Sequence, residues 1–496
     1  MLNVTGSAAN FLSFCLGSLR LKWSDLKTCS RSTALMSTNS TTLPNGGFTS
    51  TAPSGAANPN IRWVVCALLF LATTINYMDR NVFGLVEPLL HDVPFMGWNA
   101  LADKFHQPVF DNNFGNVIIF FQIAYGVGFL IAGRMIDKLG TRTGYAIAIL
   151  IWGLSSMSHS LVTSVAGFCV ARVFLGLGES GNFPAAIKAV SEWFPTRERG
   201  KAVGLFNSGS NASALIAPAL IPIVTATRWG WRAAFITTGS LGMVWLVLWL
   251  LFPYNRLRGA STQTQANLEA DFASQTTHGG NIPLSALLRR PGLYAFALGK
   301  GLTDGVWWFY LFYLPQFLNR NYGLTLKAAY WYIVAVYMIS SVGSIFGGSL
   351  SGMLMARGYS VNAGRKIAML VMALCVLPVV FVPHMSQLFP SNAWPATLLI
   401  ALAAAAHQGW SANLFSTPGD MFPSTAVSTV VGVGGAAGAV GGACFTWIVK
   451  RNLSLHQLLV FSMAAGAYIL ALALIHLLVP RLGEASPPTP PALKAA

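Results

Sequence analysis

The sequence predicts an integral membrane protein built of α-helices, and three observations lead to this fold class. Of its 496 residues, 54% are hydrophobic and only 9% are charged, and the mean hydropathy is +0.56. Soluble domains carry about 25% charged residues, so several soluble domains of this length would lack a polar surface. The apolar residues form runs of roughly twenty or more, the length that a membrane-spanning helix needs, rather than the alternating segments of a membrane barrel.

Twelve apolar segments follow residue 61. They lie near residues 62–89, 114–137, 143–162, 164–189, 199–226, 231–253, 291–318, 327–354, 366–388, 395–422, 425–449 and 455–480. The polar stretch 254–290 separates six segments from six, which predicts two six-helix halves, 61–253 and 291–480, joined by a cytoplasmic central loop.

Both ends of the chain are expected to lie outside the helical halves. Residues 1–60 are rich in Ser, Thr and Asn, and we expect them to be a disordered extension. A transit peptide, or a true translation start further along at Met36, are the alternatives for this segment. Residues 481–496 are expected to form a cytoplasmic tail.

The basic residues predict the orientation of these helices. An even number of crossings puts both termini on one side, and with the termini in the cytoplasm 20 Lys and Arg residues lie inside against 7 outside. This is the asymmetry of the positive-inside rule. The net charge of +16 therefore reflects the orientation of the helices in the cell membrane, and we expect no nucleic-acid partner. The six cysteines contain no C-x-x-C pair, so we expect no metal, and we expect no cofactor.

The two halves carry traces of an internal repeat. The fourth segment ends in Glu192–Pro195, which reads Glu-Trp-Phe-Pro, and the tenth ends in Asp420–Pro423, which reads Asp-Met-Phe-Pro. Parallel repeats of this kind place a binding site between the halves near the membrane midplane, and rocking of the halves opens the site to alternate sides.

A glycine-rich basic turn, Gly133–Arg142, follows the second segment and has the pattern G-x-x-x-D-[KR]-x-G-x-[KR]. Its carboxylate can cap or pair across helix ends, and its glycines allow helices to approach closely. We therefore predict a cytoplasmic latch formed by Gly133, Asp137, Lys138 and Arg142. In the corresponding turn of the second half Gly352 replaces the acid, which argues against a second latch of this kind.

Ionisable residues inside apolar segments are costly unless they are paired or hydrated, so each is a candidate functional residue. They are Asp79 and Arg80 in the first segment, Arg172 and Glu179 in the fourth, and Lys300 and Asp304 in the seventh. Arg172 and Glu179, seven residues apart, share a helix face, whereas neighbouring residues point about 100° apart. We predict that Asp79 pairs with Arg172, which leaves Arg80 free to bind a substrate carboxylate through two parallel hydrogen bonds.

The remaining charged residues divide into a coupling group and a structural pair. Glu179 lies in a stretch of small residues with no basic partner in the sequence beyond Arg80, so its protonation should respond to its surroundings, as proton coupling requires. Lys300 and Asp304 are four residues apart and should neutralise one another. In the second half His407 occupies the position that the repeat assigns to Glu179, and the aromatic and amide side chains around it suit a sugar.

These motifs resemble the anion:cation symporter family of the major facilitator superfamily, and within it the hexuronate transporters. The likeness covers most of residues 61–480. Its longest runs are Asn76–Arg80, Gly176–Lys188, Phe206–Asn211, Gly230–Phe235, Asp304–Tyr310 and Ala406–Asn413. The resemblance implies the major facilitator fold and proton-driven uptake of an organic anion. Where many of these relatives have Pro, this chain has Gly305.

The resemblance also implies which residues act in transport. Coupling is expected at Asp79, Arg172 and Glu179. Contacts to the substrate are expected from Tyr77, Arg80, Tyr125, Ser210 and Asn413, to which the pattern of the second half adds Trp307, His407 and Gln408.

We therefore expect a monomeric carrier in the lipid bilayer that imports a hexuronate, glucuronate or galacturonate, together with protons. A symporter for an aldonate or an aldarate is the alternative, because it would differ only in the amides and aromatics that line the cavity. An enzyme is disfavoured by the lack of a nucleophile beside a base in the sequence. A receptor is disfavoured by the short loops, and a channel by the two-fold repeat.

Deletion of residues 2–57 should leave membrane insertion and transport intact, because Arg62 and the later cytoplasmic loops still orient the first helix. Protein in the membrane fraction and uptake of labelled galacturonate, each compared with the full-length chain, measure this. A truncated protein that inserts but does not transport would show that the extension is required.

Overall fold

The computed structural model describes residues 60–90, 93–96, 107–257, 282–324, 326–452 and 457–482. Within these ranges all regular secondary structure is helical, as predicted. The predictions for residues 1–59, for most of the central loop and for most of the tail lie outside the described residues.

The long helices are labelled α1 to α15 in chain order. They are α1 (Ile61–Leu85), α2 (Gln107–Leu139), α3 (Thr141–Ser158), α4 (Val165–Glu179), α5 (Asn182–Trp193), α6 (Thr196–Asn207), α7 (Gly209–Thr225), α8 (Trp231–Leu251), α9 (Pro291–Tyr322), α10 (Leu326–Ala356), α11 (Val361–Val376), α12 (Val382–Leu388), α13 (Trp394–Met421), α14 (Ser424–Asn452) and α15 (Gln457–Leu478). Short helices lie at Glu87–Leu90, Tyr254–Leu257 and Leu284–Leu287, and 3₁₀ turns at Pro94–Met96, His159–Leu161 and Leu377–Phe381.

Each of the twelve predicted segments overlaps one helix or two consecutive helices. Three segments are divided between two labelled helices: 164–189 into α4 and α5, 199–226 into α6 and α7, and 366–388 into α11 and α12. Segment 62–89 covers α1 and the short helix Glu87–Leu90. Within the described part of the chain, eight helical stretches are long and apolar enough to cross a membrane. The number twelve, the two halves and the orientation of the termini stay predictions.

The ends of several helices follow directly from local sequence. The hydroxyl oxygens of Ser164 and Ser360 accept hydrogen bonds from backbone N–H groups three residues later, which caps the beginnings of α4 and α11. Gly323 ends α9 with a φ of 66°, in the left-handed region that glycine adopts without strain. Gly230, immediately before α8, also has a positive φ, 54°.

The distribution of side chains differs from that in a soluble protein in two respects. Large apolar side chains such as Ile123, Val342 and Leu251 are exposed on the outer surface, whereas Asp79 and Glu179 are fully buried. Exposed apolar area of this extent marks a surface that contacts something other than water. A bundle of membrane-length helices with this pattern is suited to a lipid environment.

Two glycines allow α6 to pack directly on α10. A Cβ atom at Gly200 would collide with the carbonyl oxygen of Gly348, and a Cβ at Gly348 would collide with that of Gly200. Gly204 lies four residues after Gly200 on α6, and its carbonyl oxygen accepts a hydrogen bond from the Ser344 hydroxyl of α10 at 2.9 Å. The first and second predicted halves therefore meet along these helices with backbone against backbone.

The structure gives a physical reason for four residues of the Gly133–Arg142 motif. The Asp137 carboxylate accepts hydrogen bonds from the backbone N–H groups of Ser428 (3.2 Å) and Thr429 (2.6 Å) in the second turn of α14. It also pairs with Lys188 of α5 at 2.9 Å. A Cβ at Gly133 would collide with the backbone of α14, and Gly140 turns the chain with a φ of 81°.

The two basic residues of the predicted latch differ in their contacts. Arg142 donates through Nη2 to the carbonyl oxygen of Leu250 at 2.6 Å, near the end of α8, where a cation complements the helix dipole. Lys138 is exposed. The contacts of Asp137 thus join the first half to α14, and those of Arg142 join α3 to α8.

A second cluster of buried charges joins the two predicted halves at the same end of the bundle. One carboxylate oxygen of Asp420 in α13 accepts from Arg199 of α6 at 3.0 Å, and the other from Arg365 of α11 at 2.8 Å. Arg199 also donates to the carbonyl oxygen of Gly419, and Arg365 to that of Thr196. Position 352 carries no acid, as the sequence shows, but Asp420 of a different helix supplies the carboxylate at this end. The sequence pattern did not predict this role of Asp420.

Asp420→Asn should destabilise the protein by about 3–5 kcal/mol, because it leaves two buried guanidinium groups without a counter-charge. The midpoint of thermal denaturation of the detergent-solubilised protein measures the effect.

Glu198→Gln is the matched control, since it removes the pair between Arg62 and Glu198, whose side chains are 26% and 34% exposed. An exposed pair contributes about 0–1 kcal/mol. Equal decreases in the two midpoints would contradict the assignment of Asp420 as the anchor of this end.

Candidate functional site

The centre of the site is an ion pair between α1 and α4. Arg80 donates through Nε and Nη2 to one carboxylate oxygen of Glu179, both at 3.1 Å. The guanidinium carbon lies 4.7 Å from the ring centroid of Tyr77 and 4.3 Å from that of Tyr125. The expectation that Arg80 is free is therefore wrong: it pairs with the one acid for which the sequence offered no other partner.

Exposure differs between the two partners of this pair. The Arg80 side chain is 20% exposed, whereas that of Glu179 is fully buried. The cation is thus the member of the pair that a molecule entering the bundle would meet. The aromatic rings on either side restrict the guanidinium to one plane, since cation–π contacts favour a face-on geometry.

The predicted ion pair between Asp79 and Arg172 is not formed. Asp79 accepts a hydrogen bond from the hydroxyl of Ser156 in α3 at 2.6 Å, and its second oxygen is buried without a hydrogen-bond partner among the described residues. Arg172 lies over the ring of Phe83, at 4.3 Å from the centroid. Phe83 is one helical turn beyond Asp79 on α1, so Arg172 is one turn too far along for direct pairing. It acts on Asp79 only over a longer distance.

Small residues and amides explain how Glu179 can be buried. A Cβ at Gly176 would lie 2.7 Å from the Phe121 carbonyl oxygen, so α4 packs directly against α2. Where α4 ends, the Asn182 amide donates to Thr73 of α1 at 3.3 Å, and its oxygen accepts from Tyr145 of α3 at 2.5 Å. These bonds hold the break between α4 and α5 beside α1.

The second half contributes another charged pair. Lys300 and Asp304 of α9 form an ion pair at 2.7 Å, which confirms the predicted pairing of these two residues. The Lys300 ammonium also lies 4.0 Å from the ring centroid of Phe415. Within this pair Asp304 is 18% exposed and Lys300 only 6%.

The predicted aromatic and amide residues of the second half fall into two sets. His407 stacks on Trp307 with ring centroids 5.2 Å apart, and its Nδ1 atom lies 2.7 Å from the hydroxyl of Tyr468. Gln408 instead joins the halves, because its side-chain oxygen accepts from Asn207 at 2.6 Å. His407 and Trp307 thus pack on each other inside the bundle, and Gln408 closes the gap between α6 and α13. Substrate contacts from these three residues stay predictions.

Ser210 and Asn413 are engaged in contacts within the helix bundle. The Ser210 hydroxyl, near the beginning of α7, donates to the carbonyl oxygen of Asn207 at the end of α6, at 2.8 Å. The Asn413 amide donates to the carbonyl oxygens of Gly347 and Gly409 at 2.8 and 2.9 Å. Substrate contacts from these two residues stay predictions.

A series of aromatic rings connects the two charged pairs across the halves. Tyr77 packs on Phe183 with centroids 6.4 Å apart, and Phe183 stacks on Phe415 at 5.1 Å. Arg80 lies against the first of these rings and Lys300 against the last. We call these three rings the aromatic seam. The Arg80–Glu179 pair of α1 and α4 lies at one end of this seam, and the Lys300–Asp304 pair of α9 lies at the other.

Several residues of the site were missed by sequence reasoning. Ser156, Phe183, Phe415 and Tyr468 carry no charge, so nothing in the pattern of intramembrane ionisable residues singles them out. A signal existed only for Phe183, which lies inside the Gly176–Lys188 run. The others are recognisable only once the helices that carry them are packed together.

Buried charged pairs enclosed between helices of membrane length are typical of membrane transporters, because such pairs occur in bilayers at the pathways of substrates and ions. The sequence pattern of the Major Facilitator Superfamily matches residues 69–446. The chain belongs to this superfamily.

Individual relatives are consistent with this assignment. The chain is 29% identical over 396 residues to a protein named hexuronate transporter of Escherichia coli (strain K12), covering 78% of this chain and 87% of that protein. It is 29% identical over 324 residues to a galacturonate transporter of Dickeya chrysanthemi, covering 64% and 89%. Among solved structures, a proton:xylose symporter of the superfamily superposes with a TM-score of 0.69 at 15% identity, covering 86% and 98%, which supports the fold.

Proposed function

We propose that the protein is a proton-coupled symporter that imports a hexuronate, glucuronate or galacturonate, by alternating access. The observation that carries this proposal is the Arg80 guanidinium, partly exposed between two tyrosine rings and paired on one edge with a buried glutamate. The names of the relatives support the choice of a sugar acid.

Arg80 retains an edge for a carboxylate. Glu179 engages Nε and Nη2, which form one side of the guanidinium plane. A guanidinium has five N–H donors, so the side formed by the two terminal nitrogens can bind a second carboxylate in a bidentate manner. The tyrosine rings beside it and the indole of Trp307 offer faces for the C–H groups of a sugar.

Competition for one cation provides a mechanism of coupling. In the ionised form Glu179 neutralises Arg80 and weakens its hold on a substrate anion. When Glu179 takes up a proton, the full charge of Arg80 becomes available to the substrate carboxylate. Release of that proton on the cytoplasmic side restores the ion pair and expels the substrate. Asp79, buried beside Ser156 and within the field of Arg172, is the second candidate for a proton carrier.

The latch contacts fit a carrier that is closed at its predicted cytoplasmic end. Asp137 holds the beginning of α14, and Asp420 holds Arg199 and Arg365. Release of substrate on that side would require these contacts to break. Rocking of one half against the other would then exchange them for contacts at the opposite end.

Uptake of labelled glucuronate, galacturonate, gluconate and glucarate into proteoliposomes, with and without an imposed pH gradient, tests the proposal. A hexuronate that accumulates only with an inwardly directed proton gradient would support it. Uptake that ignores the gradient, or that occurs only with the other acids, would overturn it.

Glu179→Gln should separate substrate exchange from accumulation. The amide keeps the shape of the side chain but has no proton to release, so counterflow of labelled galacturonate should persist. The steady-state accumulation ratio reached under a pH gradient should fall at least about tenfold, which corresponds to a loss of roughly 1.4 kcal/mol of driving force. If the variant accumulates substrate as the unaltered protein does, the proton is carried elsewhere, with Asp79 and His407 the next candidates.

Arg80→Lys should impair galacturonate uptake nearly as much as Arg80→Ala. An ammonium keeps the positive charge but loses the planar fork that matches a carboxylate, and it cannot serve Glu179 and a substrate on two separate edges. Initial uptake rates at several galacturonate concentrations measure this. Near-normal uptake by the Lys variant would remove Arg80 from the substrate site.

A further inference from the structure

The two charged pairs of the site present opposite charges. In the pair between Arg80 and Glu179 the cation is the exposed member, at 20% against 0%. In the pair between Lys300 and Asp304 the anion is the more exposed member, at 18% against 6%. The Lys300 ammonium is enclosed between the Asp304 carboxylate at 2.7 Å and the Phe415 ring at 4.0 Å. A molecule between the halves would therefore meet a cation on one side and a carboxylate on the other.

The packing of α9 on α14 holds the Asp304 carboxylate in place. One of its oxygens occupies the space over Gly438 of α14, where a Cβ atom would collide with it. Asp304 also lies within electrostatic range of Tyr77 and Tyr125, the two rings that flank Arg80. Asp304 and Arg80 thus border the same region, and the aromatic seam runs from Arg80 to Lys300, the partner of Asp304.

The chemistry of this arrangement suits the hydroxyl end of a sugar acid. An ionised carboxylate accepts strong hydrogen bonds from hydroxyl donors. It repels a second carboxylate, and the repulsion is stronger here than in water because the effective dielectric constant between packed helices is low. Lys300 offsets this repulsion only in part, because its ammonium group is enclosed by Asp304 and Phe415 and is less exposed to an incoming anion than the carboxylate is.

We propose that Asp304, held by Lys300, is a specificity-determining residue that accepts hydroxyl groups at the end of the substrate remote from Arg80 and excludes a second carboxylate there. This inference rests on the proposed function of Arg80. Monoanionic sugar acids, uronates and aldonates, would pass this filter, whereas dianionic aldarates would be rejected. The Lys300–Asp304 pair would then be more than the structural pair that the sequence predicts.

The experiment is competition in proteoliposomes that contain the full-length protein. Counterflow of labelled galacturonate is measured while unlabelled galacturonate, galactonate or galactarate is added outside. Galactonate and galactarate are both open chains and differ at one terminal carbon, a hydroxymethyl group in the first and a carboxylate in the second. In the unaltered protein, half-inhibition by galactarate should need a concentration at least about tenfold above that of galacturonate, because the second carboxylate faces Asp304.

Asp304→Asn should reduce this ratio to about threefold or less, because it removes the repelling charge and leaves Lys300 to attract the second carboxylate. The corresponding ratio for galactonate should change little. Asp304→Glu is the matched control: it keeps the negative charge, so discrimination against galactarate should remain. The form of the free acid, ring or open chain, is the same for all variants, so a change in the ratio isolates the charge.

A ratio that is equal in the unaltered protein and in Asp304→Asn would overturn the inference. If Asp304→Asn does not fold, the double variant Lys300→Met/Asp304→Asn removes both charges and should also lower the ratio. Loss of galacturonate exchange in both neutral variants, with folded protein, would likewise overturn the inference, because the charge would then serve exchange itself and not discrimination. An unaltered protein that exchanges no galacturonate at all would contradict the proposed function instead.

Discussion

The cost of burying charge between helices is the constraint on which the rest of this structure depends. Isolated ions in a bilayer or a packed core are unstable, so each buried charge needs a partner or a polar neighbour. The Arg80–Glu179 pair meets this need by joining α1 to α4. Asp420 meets it by joining α6, α11 and α13, and Asp137 by joining α2, α5 and α14. The same charges that require partners therefore set which helices lie side by side.

These pairs differ in a way that separates structure from transport. At the latch end the three charged side chains of Asp420, Arg199 and Arg365 are almost completely buried. This cluster can therefore open only if the helices separate. In the centre of the bundle each pair keeps one member partly exposed, the cation on α1 and the anion on α9. A pair with one exposed member can exchange its partner for a ligand or a proton without unfolding. This difference makes the central pairs candidates for binding and the end cluster a candidate for gating.

Small and aromatic residues complete the arrangement. Glycines such as Gly200 and Gly348 bring the helices of the two halves into backbone contact, which a larger residue would prevent. Between the charged pairs the aromatic seam places apolar rings against the guanidinium of Arg80 and the ammonium of Lys300. Apolar surroundings strengthen electrostatic interactions relative to water. The selectivity proposed for Asp304 and the coupling proposed for Glu179 both depend on this effect.

The sequence by itself determined the all-helical class, the segments that become helices, the motif Gly133–Arg142, in which only Gly140 lies between helices, and the ionisable residues of the core. It could do so because apolar runs, glycines in fixed patterns and intramembrane charges are local features of the chain. The partners of those charges were decided by tertiary structure alone. Lys300 and Asp304 could be paired from their spacing on one helix. The partners of Asp79 and Arg172 could not be predicted, because they depend on how α1 and α4 are aligned. In the structure the two helices are offset by one turn, so that Arg80 pairs with Glu179 and Arg172 packs on Phe83. The register between two helices is set by their packing, such as the close contact of α4 with α2 at Gly176, and no pattern along a single helix records it.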